Sequence, residues 1–122
     1  MLNKAKESLQ AAELCYAQKL YNATANRAYY AMFQAGIAAL YAAGIQPTGE
    51  QWSHAGLQAA FTLELTRRRK PYPHTLSVSL KDGLSLRNTA DYKPTDISER
   101  LANQTLRWAR EFLQQVERQV NR

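Results

Sequence analysis

The chain has 122 residues, of which 45% are hydrophobic and 21% charged, and this composition fits one globular domain over residues 1–122. No apolar run is long enough to cross a bilayer, and the first residues lack the apolar core of a secretory signal, so we expect a cytoplasmic protein without a membrane partner. Sixteen Lys and Arg against ten Asp and Glu give a net charge of +6, which favours polyanionic partners.

The cysteine and histidine content argues against cross-links and metals. Cys15 is the only cysteine, so no internal disulfide can form, and the spacing of Cys and His does not match a zinc site. We therefore expect no metal and no cofactor, and we interpret Cys15 as a small buried hydrophobic residue.

Apolar residues at three- and four-residue steps predict two helices in the first part of the chain. The first runs from about Leu2 to Lys19. The second begins near Asn22, a good N-cap residue, and ends at Gly44, a typical C-terminal stop that is followed by Pro47. Apolar residues lie nearly all round this second helix, which predicts a central helix packed on several sides.

A third helix is predicted to open at a capping box formed by Thr48 and Gln51 and to end in the basic run Arg67–Lys70. A fourth covers about Thr75 to Asp91. A fifth is predicted to start from a cap at Thr95 or Asp96. Because no alternating strand pattern occurs, the sequence predicts an all-α, up-and-down bundle of four long helices plus a shorter fifth.

The octet Leu86–Lys93, at the end of the fourth helix, places charges where the helix pattern asks for leucine. The apolar stripe formed by Leu76, Leu80 and Leu84 continues onto Arg87 and then Asp91. Buried charges are costly unless they find partners, so we expect this inward-facing pair to be held there for a function.

Two sequence blocks resemble the HEPN family of small prokaryotic helical-bundle proteins. The first is Arg27-Ala-Tyr-Tyr-Ala31 in the second helix, and the other is Arg87-Asn-Thr-Ala-Asp-Tyr92 at the end of the fourth. Tyr21 before the first block and His54 between the two extend the likeness over nearly the whole chain.

The resemblance implies several properties. Many HEPN proteins are RNA-cleaving toxins or are encoded beside a minimal nucleotidyltransferase (MNT) that acts as antitoxin, and they commonly form homodimers with the motif helices facing each other. Ribonuclease members carry an Arg, a polar residue and then a His four to six residues after the Arg. Arg87 and Asn88 match the first two positions, but Asp91, Tyr92 and Lys93 occupy the window of the histidine.

The octet has two interpretations. In the first, Arg87 steadies phosphate charge, Asn88 orients a phosphate or sugar oxygen, and Asp91 or Tyr92 stands in for the missing histidine in RNA cleavage. An arginine four residues away favours the charged form of Asp91, which makes it a poor proton shuttle. In the second, Arg87 and Asp91 form an ion pair that links two helices, with Tyr92 on its rim.

Three further candidates each have a functional and a structural interpretation. His54 supplies the missing imidazole, or it is a core or cap residue. Arg27 and Tyr30 line the same groove, where the tyrosine stacks on a base, or the tyrosine only packs between helices. The run Arg67–Lys70 holds an RNA backbone, or it is a solvated helix end; its members are Arg67, Arg68, Arg69 and Lys70.

Tyr92 has one more interpretation, implied by the resemblance: MNT partners are thought to adenylylate a tyrosine close to the motif. Three functions therefore stand at this point. We favour a dimeric HEPN protein that works with an MNT transferase and binds nucleotide or RNA around Arg87. The alternatives are a metal-independent RNA-cleaving toxin with a degenerate motif and a non-catalytic structural partner.

Overall fold

The computed structural model describes residues 1–69 and 71–121, and every regular element there is a helix. This confirms the all-α class. Within these residues, no helix is both long enough and apolar enough to cross a membrane. The helices are α1 (Leu2–Ala17), α2 (Tyr21–Ala42), α3 (His54–Ala60) with a π-helical continuation (Phe61–Arg68), α4 (His74–Tyr92) and α5 (Glu99–Val120).

Helix α2 is the central helix, as predicted, and packs against α1, α4 and α5. Ala28, Ala31 and Ala35 on this helix are fully buried, and their small side chains let the neighbouring helices approach closely. Phe61, at the start of the π-helical segment, packs against Phe112 on α5 in the core, with their ring centroids 5.1 Å apart. Burial of these apolar faces is the main source of stability for the bundle.

The approach of α4 to α2 fixes the position of the charged octet. Gly83 is buried in α4, and a Cβ atom there would lie only 2.5 Å from the Cε of Met32 on α2. A larger residue at position 83 would therefore require the flexible end of the Met32 side chain to move. Arg87 lies one helical turn after this contact, on the same face of α4, and its side chain reaches Tyr30 on α2.

The predicted capping box at Thr48 and Gln51 is wrong. Helix α3 begins only at His54, and its N-cap is Ser53, whose hydroxyl accepts a hydrogen bond of 2.9 Å from the backbone N–H of Gly56. Thr48 is exposed in the non-helical segment that follows Gly44. Gly44 does end α2, and its φ of +78° is the left-handed geometry typical of that position.

Ser53→Ala is expected to lower the free energy of unfolding by about 1 kcal/mol, because one N–H of the first turn of α3 loses its acceptor. Thr48→Ala is the matched control and should change stability by less than about 0.5 kcal/mol. Urea unfolding followed by circular dichroism measures both. Equal losses in the two variants would contradict the assignment of the cap.

The predicted cap of the last helix is also wrong. Ser98, not Thr95 or Asp96, caps α5 by accepting from the N–H of Leu101 at 3.2 Å. Asp96 instead accepts a hydrogen bond of 3.0 Å from the side chain of Asn22. Asn22, predicted as the cap of α2, lies inside that helix, whose N-cap is Leu20. The Asn22 side chain, which is hydrogen-bonded to Asp96 and to the backbone N–H of Ile97, thus holds the segment that leads into α5.

The π-helical continuation of α3 was not predicted. The N–H of Arg69 bonds to the carbonyl of Glu64 at 3.1 Å, five residues earlier, which is the wide turn of a π helix. The amide of Gln58 donates to the carbonyl oxygen of Ser77 at 3.0 Å, and the hydroxyl of Thr62 is hydrogen-bonded to that of Ser77. These contacts fasten α3 and its continuation to α4.

Cys15 is half-buried rather than fully buried, so its prediction as a core residue is only partly met.

Candidate anion-binding site

Two helices each contribute a pair of polar residues four positions apart to one cluster. On α4 the pair is Arg87 and Asp91, and on α2 it is Asn26 and Tyr30. Residues four apart lie on the same helical face, so the two pairs meet where α2 and α4 pack. Arg87 Nη2 donates to the hydroxyl of Tyr30 at 3.0 Å, and the amide of Asn26 donates to Asp91 Oδ2 at 2.9 Å.

Arg87 has donor capacity that its protein neighbours do not use. Its side chain is only 14% exposed, and its Nε lies 3.0 Å from Asp91 Oδ2. The angle does not suit a hydrogen bond, however, and Nε is buried without a hydrogen-bond partner among the described residues. We take the contact as electrostatic pairing without a formed hydrogen bond. Nη1 donates to the Asn88 side chain at 3.2 Å.

Aromatic rings and a second guanidinium surround Arg87. The Cζ of Arg87 lies 5.4 Å from the ring centroids of both Tyr30 and Tyr92, and the Cζ of Arg27 lies 5.1 Å from the Tyr30 ring. Each distance is within the range of a cation–π interaction. Two cations thus share one ring, while Asp91 is the only carboxylate that contacts the cluster among the described residues. This arrangement favours an incoming anion.

The inward orientation predicted for the charged pair is correct for Arg87 but not for Asp91, which as a whole residue is exposed. Asp91 is nearer the rim, with 24% of its side chain exposed. The ion pair lies within α4 and does not itself link two helices; Tyr30 and Asn26 make that link. Tyr92 is at the rim, 73% exposed, with its hydroxyl 3.5 Å from Arg87 Nη2. A catalytic or binding role for these residues stays a prediction.

His54 lies beside this cluster but is held by a different tyrosine. Its Nδ1 is 2.7 Å from the hydroxyl of Tyr29, and its ring centroid is 6.1 Å from that of Tyr30. Burial raises the pKa of the Tyr29 phenol, which therefore keeps its proton. Burial and the nearby Arg87 lower the pKa of His54, so its imidazole is neutral at pH 7.

With both groups neutral, the hydrogen bond between them assigns the protons of the pair. The Tyr29 hydroxyl has no other acceptor among the described residues, so it donates to His54 Nδ1. The remaining proton of the neutral imidazole is then on Nε2. His54 thus offers a hydrogen-bond donor, whereas a general base would need an unprotonated Nε2.

Stability should fall as the pH drops below about 6.5, the ordinary pKa of histidine. Because the pKa of His54 is lowered in the folded state, the unfolded chain binds a proton first and unfolding is favoured by acid. Urea midpoints between about pH 7 and pH 5 test this. His54→Gln should flatten the profile in that range, whereas His74→Gln, at an exposed histidine, should keep the wild-type slope.

The basic run at the end of the π segment does not join the Arg87 cluster. Arg68 forms a 3.0 Å ion pair with Glu64, and Arg69 donates to the carbonyl oxygen of Ala43 at 2.8 Å. Arg67 is exposed and lines a groove between α3 and α4. Lys70, the fourth residue predicted here as an RNA contact, lies outside the described residues.

Sequence reasoning missed two residues that complete the site. Asn26 holds Asp91, and Tyr29 fixes the tautomer of His54. The four-residue step from Asn26 to Tyr30 was the available signal, since it repeats the step from Arg87 to Asp91. Tyr29 gave a weaker signal: a buried tyrosine needs a partner for its hydroxyl, but the sequence does not say which.

The comparison with protein families agrees with the helical fold. A family model described as HEPN domain matches residues 1–119, and the chain belongs to this family. HEPN domains often take part in RNA binding or cleavage and commonly dimerise. A search of curated proteins finds no match for the chain.

Proposed function

We propose that the protein binds the phosphate groups of RNA or of a nucleotide at the Arg87 cluster, without cleaving them. The observation that carries the proposal is the buried Nε of Arg87, which has no hydrogen-bond partner among the described residues. Leaving a buried donor unsatisfied costs about 1–3 kcal/mol. A phosphate oxygen that takes the place of Asp91 beside Nε would remove this cost and would meet the guanidinium fork that suits it best.

The neighbours of Arg87 support an anionic ligand over an apolar one. Arg27 adds a second positive charge beside Tyr30, and Asn88 adds an amide that can hydrogen-bond a sugar or phosphate oxygen. The exposed ring of Tyr92 lies at the rim, where a base of a single strand can stack on it. These features together fit a nucleotide unit.

Binding without cleavage is favoured by the state of each candidate for the missing histidine. His54 presents a donor on Nε2, since Tyr29 donates to its Nδ1. Asp91 accepts from Asn26 and lies against Arg87. Tyr92 has its hydroxyl beside the same guanidinium. None of these groups is a free base aimed at a 2'-hydroxyl, which metal-independent cleavage requires.

Fluorescence anisotropy with a labelled single-stranded RNA tests the proposal. We expect saturable binding that weakens with salt, since phosphate contacts release counterions. The same RNA should be recovered intact on a denaturing gel. Absence of binding at low salt would overturn the proposal. Cleavage that disappears in Arg87→Ala would favour the ribonuclease alternative instead.

The proposal includes a homodimer that works with an MNT-type nucleotidyltransferase, as the HEPN family suggests. If the two Arg87 clusters face each other in the dimer, the second copy would double the positive charge available to one RNA strand. Sedimentation equilibrium gives the oligomeric state, and coexpression with the product of the adjacent gene tests the transferase. A monomer at all concentrations that does not copurify with such a transferase would contradict this part.

Modification of Tyr92 by that transferase is a second candidate, favoured by one observation. The ring is 73% exposed, and its hydroxyl is within reach of solvent at the end of α4. We expect coexpression with the transferase to add one nucleotide mass to the intact protein and the adduct to disappear in Tyr92→Phe. An adduct that persists in Tyr92→Phe would place the modification elsewhere.

A further inference from the structure

An open groove of about 690 Å³ lies between α3 with its π segment and α4, next to the Arg87 cluster. We call it the α3–α4 groove. Its floor and walls are mostly apolar. Leu63, which is about half-exposed, gives it a large hydrophobic surface that no described part of the chain covers. The other apolar residues lining it are Ala55, Ala59 and Leu84.

Positive charge lies at the edges of the same groove. Arg67 and Lys81 line it, both are exposed, and none of its described lining residues is acidic. An apolar surface with cationic edges is complementary to a nucleotide, whose base has apolar faces and whose backbone is anionic. A groove for an apolar peptide would not need these charges.

The groove and the Arg87 cluster share His54. The imidazole lines the groove, while its ring lies 6.1 Å from that of Tyr30, the acceptor for Arg87. Along α4, Lys81 precedes Arg87 by six residues, about 9 Å along the helix axis. Because six residues also turn the helix by about 600°, the two side chains leave α4 about 120° apart, and a strand that contacts both follows the helix surface from one to the other.

We infer that the α3–α4 groove binds the base of an RNA nucleotide adjacent to the one whose phosphate Arg87 holds. This inference rests on the proposed function and assigns its ligand as single-stranded RNA of at least two nucleotides. Arg67 and Lys81 contact the flanking phosphates, and Leu63 packs on a face of the base. His54 Nε2–H donates a hydrogen bond to its polar edge, and the side-chain carbonyl oxygen of Gln58, whose amide nitrogen is held by Ser77, accepts one.

Salt dependence tests the phosphate contacts. For the double variant Arg67→Ala/Lys81→Ala, we expect the slope of log affinity against log salt for single-stranded RNA to fall by about 1.4, the value for two contacts. Arg100→Ala/Lys4→Ala is the matched control, because it removes one Arg and one Lys that are exposed and do not line the groove. An equal change in both double variants would overturn the inference.

Photo-crosslinking tests the base contact directly. RNA carrying 4-thiouridine at each position in turn is irradiated on the wild-type protein, and the adducts are mapped by mass spectrometry. We expect adducts within residues 54–67 at the nucleotide next to the one that crosslinks near Tyr92. An RNA with an abasic site at that position should bind about tenfold more weakly to the wild type.

The outcomes separate this inference from the function on which it rests. Failure of RNA to bind would overturn both. RNA binding that needs Arg87 but gives adducts only outside the groove would overturn the groove and leave the phosphate site. Loss of self-association in Leu63→Ser, with unchanged RNA crosslinks outside the groove, would assign the groove to a second copy of the chain and overturn the inference.

Discussion

Arg87→Ala is expected to weaken the binding of single-stranded RNA by roughly 10- to 100-fold at low salt, because a charged hydrogen-bonding group is worth about 1.5–3 kcal/mol. Arg87 supplies the only guanidinium in the cluster that has a buried, unsatisfied nitrogen among the described residues. The salt slope should also fall by about 0.7, the value for one phosphate contact to a single strand. Anisotropy titrations at several salt concentrations measure both quantities.

Two matched variants separate loss of the site from loss of charge or fold. Arg110→Ala removes the same charge from an exposed ion pair with Glu13, 3.0 Å away, and should leave affinity within about twofold of the wild type. Arg87→Lys keeps the charge but not the planar fork, so it should recover only part of the affinity. If the Arg87→Ala protein is less stable but binds RNA normally, the Arg87–Asp91 ion pair serves only the stability of the fold.

Asp91→Asn is expected to move stability and affinity in opposite directions. The free energy of unfolding should fall by about 1–2 kcal/mol, because Arg87 is largely buried and loses its counter-ion. RNA affinity should rise by roughly fivefold, because a negative charge a few ångströms from a bound phosphate is worth on the order of 1 kcal/mol. Urea unfolding and anisotropy on the same samples measure the two effects.

Asp96→Asn is the control for Asp91→Asn. It removes an equal charge from an exposed carboxylate that bonds to Asn22 instead of to the Arg87 cluster. Its RNA affinity should stay within about twofold of the wild type, because this exposed carboxylate has its own partner and makes no contact with Arg87. A fall in both stability and affinity for Asp91→Asn would show that the carboxylate positions Arg87 for the ligand and does not compete with it.

The helical fold could be predicted from the sequence because each helix buries a continuous apolar face. Helix starts were harder. Ser53 and Ser98 cap α3 and α5, but each follows within a few residues of another capping candidate, such as Thr48 or Asp96. Local propensity does not choose among such neighbours, and the loop geometry does. The π-helical turn after α3 could not be predicted from the apolar pattern either, because one extra residue in a turn changes a 3.6-residue repeat very little.

The candidate site could be predicted in part. The octet identified Arg87 and Asp91 because charges interrupted an apolar stripe. Their partners Asn26 and Tyr30 depend on the register between α2 and α4, which pack closely where Gly83 faces Met32. Register between helices is a tertiary property that periodicity within one helix does not contain.

His54 illustrates the same limit for chemistry. The sequence offers it as a candidate imidazole for the site, but its contact with Tyr29 decides which nitrogen carries the proton. That contact, together with the lowered pKa of the ring, turns a candidate base into a hydrogen-bond donor. A residue type alone does not specify this state.

The most direct measurement of the central claim is the NMR signal of the Arg87 side-chain Nε–H, assigned by its disappearance in Arg87→Lys. Titration with inorganic phosphate and then with single-stranded RNA should shift this signal saturably, with the same dissociation constant that anisotropy gives for the RNA. An Nε–H signal that stays in place while RNA binds would show that the anion is held elsewhere.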